Sequence, residues 1–155
     1  MLDVGDTPED FTLQDHQGNE VAWSDFRGKP VVVFFYPKAN TPGCTKEACA
    51  FTDLSSEFAK RGVAVLGVSA DTVKRQSNFV NKYDLSMPLL ADTEHTILEP
   101  WGVWQEKKNY GRTYMGIVRA TFLFDSDGTV VEAWPKVKVT GHAQAVLDAV
   151  DKAEL

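Results

Sequence analysis

The chain has 155 residues, 43% of them hydrophobic and 25% charged, which gives one globular domain spanning 1–155 and excludes a largely disordered chain. A net charge of −6 and a pI of about 5.0 disfavour a phosphate backbone as partner, so no nucleic acid is expected. Val31 to Tyr36, the longest nearly pure apolar run, is far short of the roughly 20 residues that span a bilayer, and the N-terminus MLDVGDTPED lacks the basic and apolar regions of a secretory leader. The expected location is therefore the cytoplasm, with no membrane contact.

In chain order, Phe11–Leu13 and Glu20–Trp23 flank the turn signal Asp15-His16-Gln17-Gly18-Asn19 and predict an N-terminal β-hairpin. Val31–Tyr36 is β-branched and aromatic without alternation, as in a strand buried on both faces. After the loop Pro37–Asn40, Thr41-Pro42 opens a helix with Thr at the N-cap and Pro at N1. Ala48, Phe51, Leu54 and Phe58 recur at steps of three and four, which carries this helix to about Lys60, before Gly62. Val63–Ser69 reads as a second buried strand, and Asp71-Thr72 caps a helix whose apolar face is Phe79, Val80 and Tyr83. Leu89–Ala91 predicts a short strand and Thr93–Trp101 a short helix.

The basic and aromatic stretch GVWQEKKNYGRTYMG then leads into a strand over Ile117–Phe124. The turn Asp125–Gly128 returns Thr129–Trp134 antiparallel, and His142–Lys152 forms a last amphipathic helix. The alternation predicts an α/β domain, a central mixed sheet flanked by helices in a thioredoxin-like order.

The only two cysteines, Cys44 and Cys49, fall in TPGCTKEAC. So short a loop makes a poor structural staple, which points to redox chemistry or a metal. Cys44 stands near N3 of the predicted helix, just after a buried strand, at the sheet edge where open α/β sheets place ligands. Unpaired N–H groups and the positive end of the helix dipole there favour a thiolate, and Gly43 admits close approach of a small ligand. Five helical residues put the two Cα atoms on the order of 8.6 Å apart, beyond disulfide reach. The pair either never bonds or bonds when the first turns unwind, and Cys49 reads equally well as a small buried apolar residue. His16, His95 and His142 are too scattered to complete a metal site and are read as surface or capping residues, so no metal is expected.

The segment FFYPKANTPGCTKEAC closely resembles the active-site segment of peroxiredoxins, in their peroxiredoxin Q or bacterioferritin-comigratory-protein branch. DFTLQDHQGNEVAWSDFRGK, VLGVSAD and YGRTYMGIVRATFLFDSDG extend the likeness over most of the chain. The resemblance implies a peroxiredoxin fold and a thiol peroxidase that acts on hydrogen peroxide and organic hydroperoxides without a cofactor. It casts Cys44 as the attacking thiolate and Cys49 as the resolving thiol, joined in an intramolecular disulfide that thioredoxin reduces. Thr41 would hydrogen-bond sulfur and peroxide, Pro37 would shield the site, Arg119 would pair with thiolate and peroxide, and Glu47 would orient Arg119. Members of this branch are often monomers, which the resemblance carries over as an expectation.

Two other functions compete: a thioredoxin-type dithiol oxidoreductase and a non-catalytic redox sensor. Against the first, threonine stands where the leading cysteine of a CxxC would be, in TPGC. The aromatics Trp101, Trp104, Tyr110 and Tyr114 read chiefly as core, with a role in peroxide preference as the other option, and Lys107-Lys108 reads as a solvated charge pair.

Overall fold

The structure is a computed structural model that describes residues 1–155. Its strands are β1 (Thr12–Gln14), β2 (Glu20–Ala22), β3 (Val31–Phe35), β4 (Ala64–Ser69), β5 (Leu89–Ala91), β6 (Trp104–Asn109), β7 (Arg112–Ile117), β8 (Ala120–Phe124) and β9 (Val130–Trp134). Its helices are α1 (Pro42–Asp53), α2 (Ser55–Lys60), α3 (Val73–Tyr83) and α4 (His142–Ala153). Seven strands form one mixed sheet in the order β2-β1-β5-β4-β3-β8-β9. β3 is central, parallel to β4 and antiparallel to β8, and β1 and β2 form the expected hairpin.

Every residue of β3 is buried because its two faces feed two cores. Val32 and Phe34 join Phe51, Phe58, Phe79, Val146 and Leu147 under the helices. Val31, Val33 and Phe35 join Trp23, Trp101, Phe122 and Phe124 on the opposite face. That second face is closed by a 3-10 turn at Trp23–Phe26 and by the stretch between β5 and β6. Trp101 lies at its centre, in T-shaped contact with Trp23, Phe35 and Phe122.

Four elements differ from the sequence-based expectation. The helix drawn through Lys60 breaks at Leu54 (φ −99°, ψ 9°), which ends α1 and starts α2 on the same apolar stripe. Thr93–Trp101 is not a helix but a run of turns wound about one carboxylate. Asp92, fully buried, accepts the backbone N–H groups of Thr96, Ile97 and Leu98 at 2.6, 2.9 and 2.9 Å. The basic and aromatic stretch folds as a separate two-stranded sheet, β6–β7, with Tyr110 exposed at its tip and Tyr114 and Met115 also exposed. The chain then leaves strand geometry at Val118-Arg119 before β8 begins, so the strand drawn from Ile117 is two strands.

Asp92→Ala strands three donors around a buried stretch, at about 1–3 kcal/mol each. Denaturant unfolding of that variant is expected to show at least about 3 kcal/mol of lost stability, and a loss below about 1 kcal/mol would show that the carboxylate does not organise the turns.

Candidate active site

The first turn of α1 follows from its sequence. Thr41 has the extended backbone of an N-cap (φ −92°, ψ 156°), and Pro42 fills N1, where no N–H is needed. The capping hydroxyl expected of Thr41 is used elsewhere: its Oγ1 donates to the carbonyl of Lys38 at 2.7 Å and makes no cap bond. That bond folds Thr41 back over the loop after β3, which brings Pro37, Thr41 and Cys44 to one end of the sheet. Cys44 is 1% exposed, and Ala48 and Phe51 on the same helix are buried beneath it.

Arg119 reaches this sulfur from the break between β7 and β8. Its Nη2 donates to Cys44 Sγ at 3.4 Å, and its Nη1 donates to Glu47 Oε1 at 2.8 Å. One guanidinium therefore bridges two side chains that lie on successive turns of α1. Its backbone is held too, because Val137 N–H donates to the Arg119 carbonyl at 2.9 Å. Gly43 makes room for this contact, since a Cβ there would lie 3.2 Å from Arg119 Nη2.

Glu47 is 1% exposed and its Oε2 has no hydrogen-bond partner. Burial pushes its carboxyl up to about 7, and the charge and hydrogen bond of Arg119 only partly offset that. For Arg119, burial acts downward, but the charges of Cys44 and Glu47 outweigh it and raise the guanidinium further. Burial, then the negative charge of Asp53 one turn on, holds the Cys49 thiol up, so in the intact helix Cys49 is protonated.

Both cysteines are free. They stand on one continuous helix, where five residues separate the Cα atoms by on the order of 8.6 Å. Cys49 is half-buried and packs at the edge of the helical core. A Cys44–Cys49 bond therefore requires α1 to open.

Of the other residues singled out, Trp101 is core, whereas Trp104 is half-buried against His95 with ring centroids 4.1 Å apart. Tyr110 and Tyr114 are exposed, so the core reading fails for these two. Lys108 is solvated, but Lys107 is not: its ammonium donates to the Ile117 carbonyl at 2.8 Å, tying β6 to the end of β7, two residues before Arg119. Pro37, Trp104, Lys107, Tyr114 and Ile117 line a groove of about 420 Å³ between the loop after β3 and the β6–β7 sheet. His142 is neither surface nor cap. It is buried, shares a 2.8 Å hydrogen bond with Thr121, and is pushed down to about 4 by burial and by the charge of Arg119. No local pattern marks it, because its environment comes from β8 and Trp134. No cluster of His, Cys, Asp and Glu is arranged to hold a metal.

A thiol beside a fixed guanidinium at a helix N-terminus, with a second thiol on the same helix, defines a thiol-redox site on a thioredoxin-like fold. The AhpC/TSA family profile matches residues 4–133. Peroxiredoxin Bcp of Bacillus subtilis is 42% identical over 154 residues, covering 99% of this chain and 98% of that one. Peroxiredoxin Bcp of Escherichia coli is 44% identical over 147 residues, covering 95% and 94%. A cysteine-to-serine mutant of Xylella fastidiosa PrxQ superposes with a TM-score of 0.95 at 34% identity, covering 100% and 99%. The bacterioferritin comigratory protein of Xanthomonas campestris, described for its alkyl peroxide reduction, superposes with a TM-score of 0.88 at 41% identity, covering 92% and 91%. The chain belongs to the AhpC/TSA family, and within it to the peroxiredoxins of the Bcp and peroxiredoxin Q kind.

The pH dependence of Glu47 follows. Its folded value lies above the ordinary carboxylate value of 4.5, so its preference for the neutral form stabilises the fold below pH 4.5 and is lost as pH rises through about 7. Glu47→Gln is therefore expected to gain stability relative to the wild type above pH 7 and to match it near pH 4. The same variant cannot carry the anion that fixes Arg119, so Cys44 oxidation should be about tenfold slower at pH 8, the loss of one charge-assisted hydrogen bond. Denaturant unfolding and single-turnover oxidation at pH 4, 6 and 8 check both signs. Equal rates for the two proteins at pH 8 would remove Glu47 from the site.

Proposed function

We propose that this protein is a thiol-dependent peroxidase that reduces hydrogen peroxide and organic hydroperoxides through Cys44, with Cys49 resolving the product and thioredoxin as the reductant. The observation that carries the reading is the guanidinium of Arg119 at 3.4 Å from the Cys44 sulfur and 2.8 Å from Glu47.

The Cys44 thiolate attacks the terminal oxygen of the hydroperoxide in line with the O–O bond. An S–O bond forms as the O–O bond breaks, and the departing alkoxide takes up the hydroperoxide proton to leave as an alcohol, or as water from hydrogen peroxide. Cys44 is left as a sulfenate, which takes a proton to become the sulfenic acid. Negative charge builds on the leaving oxygen, and Arg119 and the N–H groups at the start of α1 stabilise it without reorganising. Thr41 offers its hydroxyl lone pairs to the peroxide O–H, and Pro37 closes the apolar side.

Opening of α1 then brings the Cys49 sulfur onto the sulfenic sulfur. A disulfide forms and the hydroxyl leaves as water, with the Cys49 proton. A reduced dithiol protein exchanges with this bond and restores two thiols while it is itself oxidised. A monomeric enzyme is what the likeness to this branch implies. No helix is long and apolar enough to cross a membrane.

Reduced protein supplied with thioredoxin, thioredoxin reductase and NADPH should consume hydrogen peroxide and tert-butyl hydroperoxide. Cys44→Ser should abolish turnover, and Cys49→Ser should leave a sulfenic acid that a dione probe traps. Arg119→Met should slow Cys44 oxidation by about 10²–10³, as for loss of a preorganised donor at developing charge. Persistent turnover in Cys44→Ser, or insulin reduction without peroxide consumption, refutes the reading.

A further inference from the structure

A buried carboxylate that takes no part in the chemistry above lies behind the reactive loop. Asp71 follows β4, and its side chain is 5% exposed. Its Oδ2 accepts the backbone N–H of Ala39 at 2.7 Å and the hydroxyl of Ser69 at 2.7 Å. That hydroxyl is itself saturated, accepting Gln76 Nε2 at 2.9 Å and the Asp71 N–H at 3.2 Å. Gln76, fully buried on α3, also donates to the Leu90 carbonyl at 2.9 Å. Its Oε1 accepts the hydroxyl of Tyr36, which is fully buried as well.

The chain of donors runs from Tyr36 to Gln76 to Ser69 and ends on the Asp71 carboxylate. It grips the reactive loop twice, through the Tyr36 side chain and through the Ala39 backbone. The two residues between these grips are Pro37, which closes the site, and Lys38, whose carbonyl accepts the Thr41 hydroxyl. A buried carboxylate is costly unless it is fully used. Helix capping does not account for this one, since Thr72 is the N-cap of α3 and already accepts Arg75 N–H at 3.2 Å. Arg75 is 4.0 Å from Asp71 Oδ1 and mostly exposed, so it contributes little.

We propose that Asp71 is a positioning residue for peroxide attack: by holding the Ala39 N–H it fixes the Pro37-Lys38 segment, and through the Lys38 carbonyl the Thr41 hydroxyl, where the hydroperoxide must be aimed at Cys44. The proposal rests on the assignment of Cys44 and Thr41 above. The thiolate itself is held by Arg119 and α1, which Asp71 does not touch. Removing Asp71 therefore separates two reactions of the same sulfur. Attack on a peroxide needs the aimed loop, whereas alkylation by iodoacetamide does not.

The test is single-turnover oxidation of reduced full-length protein by tert-butyl hydroperoxide, with iodoacetamide labelling of Cys44 followed in parallel by mass spectrometry. Asp71→Ala should lower the oxidation rate constant by about tenfold to a hundredfold, the scale of a small misplacement at a reacting centre. The labelling rate should stay within about twofold. Asp71→Asn, which keeps an acceptor oxygen for Ala39, should recover to within about threefold of the wild type. Ser69→Ala frees the carboxylate from its neighbour and leaves the loop contact in place. It should lose about threefold to tenfold in oxidation, and it decides the matter if Asp71→Ala does not fold. Wild-type oxidation in folded Asp71→Ala, or in Ser69→Ala when that variant decides, overturns the proposal. So does a parallel change in oxidation and labelling, the mark of general loosening. Cys44→Ser serves as the control: turnover there removes the assignment of the thiol itself, a failure distinct from any Asp71 result.

Discussion

The structure turns on one guanidinium shared by two acids of α1. Arg119 meets the Cys44 sulfur and the Glu47 carboxylate at once, and all three groups are largely out of water. The cost of burial is visible in Glu47, whose carboxyl it pushes up to about 7 against the charge and hydrogen bond of Arg119. Solvation therefore works against the glutamate anion, and only its contact with Arg119 partly offsets that. Glu47 is a poor stabiliser of the fold that holds the Arg119 guanidinium in place, which fits the role proposed for it.

On the proposed reading, the same helix has to be rigid for attack and open for resolution. Its N-terminal field exists only while α1 is wound, and its two thiols can meet only when it is not. The break at Leu54 bears on this, because it separates α1 from α2 and gives opening a natural limit. Phe51 and Phe58 stay anchored in the helical core on either side of that break. Thr52 pins the end of α1 to the Ser86 N–H. The turns that carry Cys44 and Cys49 are thus bounded by a proline at one end and a pinned turn at the other.

Much of this was legible in the residues. Val31–Phe35 declared a doubly buried strand, because continuous β-branched and aromatic residues have no polar face to offer solvent. Thr41-Pro42 declared where α1 starts, and the cysteine spacing declared that an intact helix forbids their bond. What stayed hidden depends on contacts between distant segments. Asp92 replaces a helix with turns because a carboxylate can satisfy three N–H groups in a non-helical path, and local propensity does not register that alternative. Lys107 looked solvated because its acceptor, the Ile117 carbonyl, becomes a neighbour only once β6 and β7 pair. His142 was misread for the same reason, since its partner Thr121 is 21 residues away on the central sheet.

Asp71 shows how such a residue can be found before its contacts are known. Two potential capping residues stood in a row, Asp71-Thr72, and a helix start needs one. The structure assigns the cap to Thr72 and sends Asp71 into the interior, toward the loop that carries Pro37. A redundant acid at the end of a buried strand is therefore a signal in its own right, because burial of its charge is tolerated only where something else requires the shape it enforces. In the proposed cycle the shape is that of a loop which must hold still while the adjoining helix winds and unwinds. Fixing the loop to α3 and β4 as well as to the N-cap of α1 would let the sulfur move in that cycle while Pro37 and Lys38 keep their place.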